Sequence, residues 1–441
     1  MSTSSSELKN NIAMVKESSI NDSIKLESIK PGMTLKPRRL DGLAKNILLK
    51  QFALITLGEL YLKDGDNSYH FGCKSDECDL SVTIDVQDSR FYADVCFGGS
   101  IGASEAYMYG YWTTDNLTDL IRIFSKNSDA LDTIEGGLAY ITVPIQKILH
   151  WFNRNTQQGS RKNIAAHYDI GNDLFKIMLD ETMMYSSAIF KDDKMSLYDA
   201  QINRLDEICN KLDLQPSDEL LEIGTGWGGL SIHAAKNYGC HVTTTTISRE
   251  QYNLACERVE KEGLSDKITV LFEDYRHLNG KFDKLVSVEM IEAVGHQYYE
   301  TYFNKCSDLL KPSGMMLLQA ITIADKQYET AKTSVDFIKR YIFPGSCIPS
   351  VTAMQQAITK SSDLRLYDLK DIGPHYATTL NRWRKNIDDN MDEVKQLGYS
   401  DEFMKMWEFY LCYCEGGFME RVISDVHMLL VKPNNRCTHL L

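Results

Sequence analysis

Apolar and polar positions follow several distinct rhythms along this chain, and each change of rhythm marks a segment. Residues 1–30 have none: Ser2 to Ser6, Asn10, Asn11 and the Lys/Glu/Ser mix up to Lys30 offer little to bury and read as a disordered tail. After Pro31-Gly32, apolar residues recur at helical spacing from Leu43 to Leu62, interrupted at Gly58. Alternation with period two follows in Tyr69–Phe71, Leu80–Ile84 and Phe91–Phe97. Those runs are rich in aromatic and β-branched residues and predict a small half-buried sheet. The glycines of Gly98–Trp112 read as turns, and Asn116–Phe124 as a helix. In the connector, Leu149, Trp151 and Phe152 lie near Lys147, Arg154, Arg161 and Lys162. Such an amphipathic stripe serves either as packing between domains or as an interfacial membrane helix.

From about residue 163 strands and helices alternate. The pattern predicts strands at Leu220–Ile223, Cys240–Thr246, Ile268–Phe272, Phe282–Val288 and Met315–Thr322. Helices are expected at Arg249–Glu262 and Glu292–Leu310, and later near Leu380–Leu397 and over Glu402–Val422. That is the order of a doubly wound, Rossmann-like α/β sheet. The expected division is a tail (1–30), an α+β domain (31–131), a linker helix (132–162) and an α/β domain (163–441). A chain of 441 residues is too long for one core in any case.

Charge narrows the partners. A net charge of −13 argues against nucleic acid and against wholesale adhesion to an anionic membrane, leaving only local basic spots such as Lys36, Arg38 and Arg39. No secretory h-region or membrane-length apolar run stands out; Lys50 and Gln51 break the longest candidate, so a soluble, cytoplasmic protein is expected. The 11 cysteines are scattered without paired metal-ligand spacing, which predicts reduced thiols and no metal site.

The chemistry centres on Glu222-Ile-Gly-Thr-Gly-Trp-Gly228. A strand ends in a carboxylate, turns through close-spaced glycines and leads into a helix. Glycine lets backbone approach a ligand, but the spacing is too short for the dinucleotide fingerprint. The motif resembles the first motif of class I S-adenosylmethionine methyltransferases.

Four stretches together resemble the cyclopropane-fatty-acyl-phospholipid synthases and their mycolic-acid relatives. They are Ala166–Asp173 with Tyr185-Ser-Ser-Ala188, Glu222–Gly229, Tyr341-Ile-Phe-Pro344, and Tyr413-Cys-Glu-Gly-Gly-Phe418. Gly98–Gly102 with Glu105–Met108 extends the likeness into the N-terminal domain. The resemblance implies methylene transfer from S-adenosylmethionine to a cis double bond of a phospholipid acyl chain, at a membrane surface, with bicarbonate as the base. It also implies roles residue by residue. Glu292 and Tyr341 match bicarbonate contacts, and Tyr168, Tyr185 and Tyr341 line the site. Ser187 and Gln319 stand where some relatives carry a cysteine and a histidine of the bicarbonate site. Cys414 matches a reported active-site cysteine; its plain reading is a small buried hydrophobe, because alkene alkylation needs no thiol. For the cofactor, Tyr185, Ser186, Glu222, Gly224 and Gly226 match the methionine side and Thr246 and Gln251 the ribose side. Tyr275 and Arg276 match the adenine side. Dimerisation through the N-terminal domain is implied too. Rival expectations are N-methylation of a small molecule, methyl- or methylene-branching of a lipid, and a lipid-binding protein without activity.

Overall fold

The computed structural model describes residues 41–128 and 171–436; the expected tail, the connector helix and Tyr168 lie outside the described residues. The first part runs α1 (Asp41–Phe52), β1 (Gly58–Asp64), β2 (Asn67–Cys73), β3 (Ser81–Val86), α2 (Arg90–Met108), β4 (Trp112–Thr114) and α3 (Leu117–Lys126). Its strands form one sheet in the order β2-β1-β3-β4, with β1 and β3 parallel and the outer pairs antiparallel. Alternation puts Leu60 and Leu62 of β1 and Val82, Ile84 and Val86 of β3 into one core with Phe52, Phe91 and Trp112.

Two local expectations change here. The helix expected over Leu43–Leu62 stops at Phe52, and its second half is β1. The strand expected over Phe91–Phe97 is instead the first half of α2. Phe91, Tyr92 and Ala93 are all buried, which a half-exposed strand cannot do with consecutive residues. The Asp88 carboxylate accepts from the Arg90 N–H at 2.9 Å and starts the helix. Gly99 (φ 55°, ψ −137°) kinks it.

The second part continues with α4 (Asn172–Met178), α5 (Leu197–Lys211), β5 (Glu219–Ile223), α6 (Gly229–Asn237), β6 (His241–Thr246), α7 (Arg249–Lys261) and β7 (Ile268–Phe272). Then come β8 (Phe282–Val288), α8 (Tyr299–Leu309), β9 (Leu310–Ile323), α9 (Asp325–Ala331), α10 (Val351–Ser361) and β10 (Arg365–Asp371). The last elements are α11 (Gly373–Asp389), α12 (Met391–Gln396), α13 (Asp401–Met419) and β11 (Ile423–Val431). Seven strands form a sheet ordered β10-β11-β9-β8-β5-β6-β7. Strands β5 to β9 are parallel, and β11 is antiparallel to both its neighbours. The five parallel strands fall where the sequence pattern predicts them. The order reverses at β5, which lies between β6 and β8, so a crevice opens at the carboxyl ends of β5 and β8.

The helix expected over Glu292–Leu310 begins only at Tyr299. Ahead of it are two short 3-10 turns separated by Gly295, whose φ of 86° ends the first. Helix α13 ends at Met419, and β10 and β11 close the sheet where the pattern shows no strand.

Helix α13 also ties the two parts together. Its buried Glu415 accepts from Thr118 on α3 (2.9 Å) and from Asn381 (3.0 Å) and Arg384 (3.2 Å) on α11. A Cβ on the next residue, Gly416, would stand 2.8 Å from the Ile121 side chain and 3.3 Å from the Thr118 carbonyl. The Tyr413–Phe418 motif therefore has a packing role. Gly416→Val is expected to force α3 off α13 and to lower stability by roughly 1–3 kcal/mol, as overpacking does, read as a lower midpoint in urea denaturation.

Candidate active site

The glycine loop follows β5 at the sheet's switch point. Gly224 and Gly226 adopt φ of 103° and 52°, and their carrier strand is pinned when the Gly224 and Thr225 N–H groups donate to the Thr245 carbonyl at 3.0 and 3.1 Å. No atom lies within 4 Å of where a Gly226 Cβ would be, so the loop faces open space. Glu222 does not face that space. Its carboxylate accepts from Ser231 on α6 and from Thr244 at 2.7 Å on β6, lacing strand to helix. Burial pushes it up to about 7, against those two hydrogen bonds.

At the end of β6, the Thr246 hydroxyl donates to the Gln251 side-chain carbonyl at 2.8 Å, putting two uncharged polar groups together on the crevice rim. After β7, Tyr275 packs edge-on against Tyr302, and Arg276 is held by two bonds to Asp274, at 2.8 and 2.6 Å. Open loop, uncharged polar pair and half-buried aromatic suit an adenosyl group; the Ser186 hydroxyl, 2 % exposed and without a protein partner, suits it as well.

Beside this crevice, at the ends of β8 and β9, lies a buried polar cluster. The Gly224 loop touches it through Met290, whose Cβ would be 3.5 Å from a Gly224 Cβ. Period two in β9 sets Gln319 and Ile321 on one face, opposite His427 and Asp425 of β11. Gln319 is the hub. Its carbonyl accepts from Arg204 Nη1 (3.3 Å) and faces His427 Nε2 (3.2 Å); its amide donates to Glu289 (2.7 Å) and Asp425 (2.8 Å). The Glu289 carboxylate also accepts from the Ser187 N–H (3.0 Å) and from the Tyr376 hydroxyl (2.6 Å). Tyr376 gets there because α11 starts against β11: a Cβ on Gly373 would meet Ser424 Oγ at 2.1 Å. The rings of Tyr376, Phe418, Trp383 and Tyr185 form a wall, with centroids 4.4 to 6.0 Å apart.

Several residues singled out from the sequence meet here and others do not. Ser187 contributes its backbone N–H, while its hydroxyl donates to the Ala188 carbonyl. Glu292 accepts from the Ile321 N–H at 2.6 Å through Oε1; its Oε2 is buried without a partner. Tyr185 shares a hydrogen bond with Tyr410 at 2.8 Å. Tyr341 is engaged elsewhere, its hydroxyl donating to Glu105 on α2 beside Arg340. The tyrosine on the cluster is Tyr376. Burial pushes the Cys414 thiol up, so it stays protonated and is no thiolate nucleophile. Among the described residues no group of three or more His, Cys, Asp or Glu could hold a metal.

Sequence reasoning passed over Glu289, Tyr376, Asp425, Arg204 and His427. The signal for Glu289 was available: it is an acid at the end of a buried apolar strand at the switch point, three residues before Glu292. The others come from distant segments and carried no local mark.

Charge in this cluster is tightly limited. Arg204 is wholly buried, and burial holds His427 down to about 4, hence neutral. Burial, then repulsion from Glu289, pushes Glu292 up to about 8. Burial and the Glu289 charge raise Asp425 far above its usual range. Glu289, with three donors against Asp425's one, is the ionised member of that pair. A bicarbonate ion does not fit these residues as they stand: Ser187 N–H and Gln319 already serve the Glu289 carboxylate, and Tyr341 serves Glu105.

Two outcomes follow. Gly226→Val fills the open loop space and is expected to weaken S-adenosylhomocysteine binding at least tenfold, about 1.4 kcal/mol by calorimetry, with the circular dichroism spectrum unchanged. The second concerns Glu292, whose folded-state pKa lies above its unfolded value of 4.5. The contribution is therefore fully present below pH 4.5 and lost as pH rises toward about 8. Glu292→Gln is thus expected to gain stability over the wild type progressively across that window, by up to about 1.4 kcal/mol per pH unit, and to hold a constant lead above it, read as a difference in Tm that widens with pH.

Comparison with known proteins identifies relatives of this chain. The family described as mycolic acid cyclopropane synthetase matches residues 155–428. The cyclopropane-fatty-acyl-phospholipid synthase of Escherichia coli is 39% identical over 344 residues, covering 77% of this chain and 85% of that protein. The tuberculostearic acid methyltransferase of Mycobacterium tuberculosis is 35% identical over 352 residues, covering 76% and 79%. A solved mycolic acid cyclopropane synthase, complexed with S-adenosylhomocysteine and CTAB, superposes with a TM-score of 0.56 at 29% identity, over 62% of this chain and 98% of that one. The chain belongs to the mycolic acid cyclopropane synthetase family and has its S-adenosylmethionine-dependent methyltransferase fold.

Proposed function

We propose that the protein transfers a one-carbon unit from S-adenosylmethionine to the cis double bond of an unsaturated phospholipid acyl chain, leaving a cyclopropane ring and S-adenosylhomocysteine. The observation that carries this reading is the carboxyl cluster walled by Tyr185, Tyr376, Trp383 and Phe418 next to the glycine loop. An alkene is a weak nucleophile, and holding it in line with the sulfonium methyl supplies much of the rate. Alkylation leaves a carbocation, which aromatic faces stabilise and a dry wall protects from water. A base must then take one proton, and an ionised carboxylate of this cluster can do so. The protonated Cys414 has no nucleophilic part to play.

Phospholipid is preferred over mycolic acid because the match to the phospholipid synthase covers 77% of the chain and so extends beyond residues 155–428. The reading places the protein at a bilayer surface; among the described residues no helix is long and apolar enough to cross one. The comparable match to the tuberculostearic acid methyltransferase favours a second reading, in which the same cation yields a branched chain.

Purified protein, S-adenosylmethionine and vesicles of mono-unsaturated phosphatidylcholine or phosphatidylethanolamine separate the two by mass spectrometry and proton NMR of the acyl chains. A gain of one CH2 with loss of olefinic protons is the expected result. A gain with the olefin retained assigns methylene branching. Cofactor binding without any lipid product overturns both readings and turns attention to small-molecule acceptors.

A further inference from the structure

We propose that Glu289 is the proton acceptor of this reaction, its carboxylate sitting where the family resemblance places a bicarbonate ion. The inference rests on the reading above and deepens it. Ser187 and Gln319 are the two positions that the resemblance assigns to the bicarbonate site outside Glu292 and Tyr341. Both donate to the same oxygen, Glu289 Oε1, at 3.0 and 2.7 Å. Tyr376 donates to the other oxygen at 2.6 Å. A planar carboxylate held by a backbone N–H, an amide and a phenol has the shape and charge of the ion those donors would otherwise hold. The chain has built in what would otherwise be borrowed.

The surroundings suit a base. Glu289 lies at the end of β8, next to Met290, which meets the glycine loop, and its partner Tyr376 stacks on the aromatic wall. Burial raises its carboxyl above the ordinary value, while the donors keep it the ionised member of the cluster. Glu292 is the neutral neighbour, bonded to the Ile321 N–H. In the step itself the new methyl group of the cation gives a proton to Glu289. The electron pair of that C–H bond becomes the second C–C bond of the ring. The products are a neutral cyclopropane and a Glu289 carboxylic acid, which returns its proton to solvent between turnovers.

The backbone makes the test clean. Glu289 has φ of 47°, a conformation glycine adopts without strain. Glu289→Gly therefore empties the seat, whereas Glu289→Gln fills it with a group that cannot accept the proton. In CO2-free buffer, wild-type turnover on the vesicles is expected to be indifferent to added millimolar bicarbonate. Both variants are expected to fall by ~10²–10⁴-fold, the usual share of a general base. Bicarbonate should restore part of the activity of Glu289→Gly and none of Glu289→Gln. Titration of ¹³C-bicarbonate by NMR into the S-adenosylhomocysteine complexes gives a readout that needs no lipid. Uptake by Glu289→Gly and none by the wild type is the expected result. Uptake by the wild type, or a wild type that turns over only with bicarbonate, overturns the proposal; so does full activity in Glu289→Gln. A wild type that makes no lipid product sinks the functional reading instead, and the titration still decides who holds the seat. If Glu289→Gly does not fold, the wild-type titration and Glu289→Gln decide it alone.

Discussion

Arg204 lies wholly inside the protein, and its guanidinium has no ion pair at contact distance among the described residues; it is held by the Gln201 and Gln319 side-chain carbonyls. A charge so placed costs several kcal/mol unless its field is answered nearby. The answer comes from Glu289 and Asp425, one residue further out, through the Gln319 amide. The rest of the site follows from that balance. One buried positive charge accommodates about one negative charge, so of the three carboxyls Glu289, Asp425 and Glu292 only one is ionised near neutral pH. Donor count decides which.

The same balance lets a polar cluster sit beside the proposed carbocation reaction. A carbocation needs a wall that does not attack it, and a base must be close without carrying water along. Packing provides both at once: α11 brings Tyr376 to the carboxylate with its hydroxyl and to the wall with its ring. The N-terminal elements are tied to α11, the helix that carries Tyr376, through the Glu415 contacts of α13. Domain packing and site geometry are therefore mechanically joined.

The sequence made the frame readable where one physical rule acted alone. Strands β5 and β9 are buried on both faces over most of their length and announce themselves as apolar runs. The glycine loop shows itself through positions that only glycine occupies easily. Legibility failed where two rules competed. Phe91–Phe97 carries strand-forming residues, but burial of three in a row made it helix. Strand β10 is largely exposed and charged, so no apolar rhythm marked it. In the site, Ser187, Gln319 and Glu292 stood out by likeness to relatives. The partner shared by Ser187 and Gln319 did not, because Glu289 departs from the expected chemistry and its other donor, Tyr376, lies 87 residues away. Tyr341 was weighed by its motif, yet hydrogen bonding commits it to Glu105.

The left-handed backbone at Glu289 has an evolutionary consequence. Both glutamate codons become glycine codons by changing their middle base, and at this φ the exchange strains nothing in the main chain. An enzyme of the proposed design is thus one nucleotide away from surrendering its base and depending on an anion drawn from solution. The reverse mutation is equally short, although a side chain in that backbone conformation carries a small conformational penalty. Dependence on dissolved carbon dioxide would then be a trait that lineages on this scaffold gain and lose quickly, without rebuilding the fold around it.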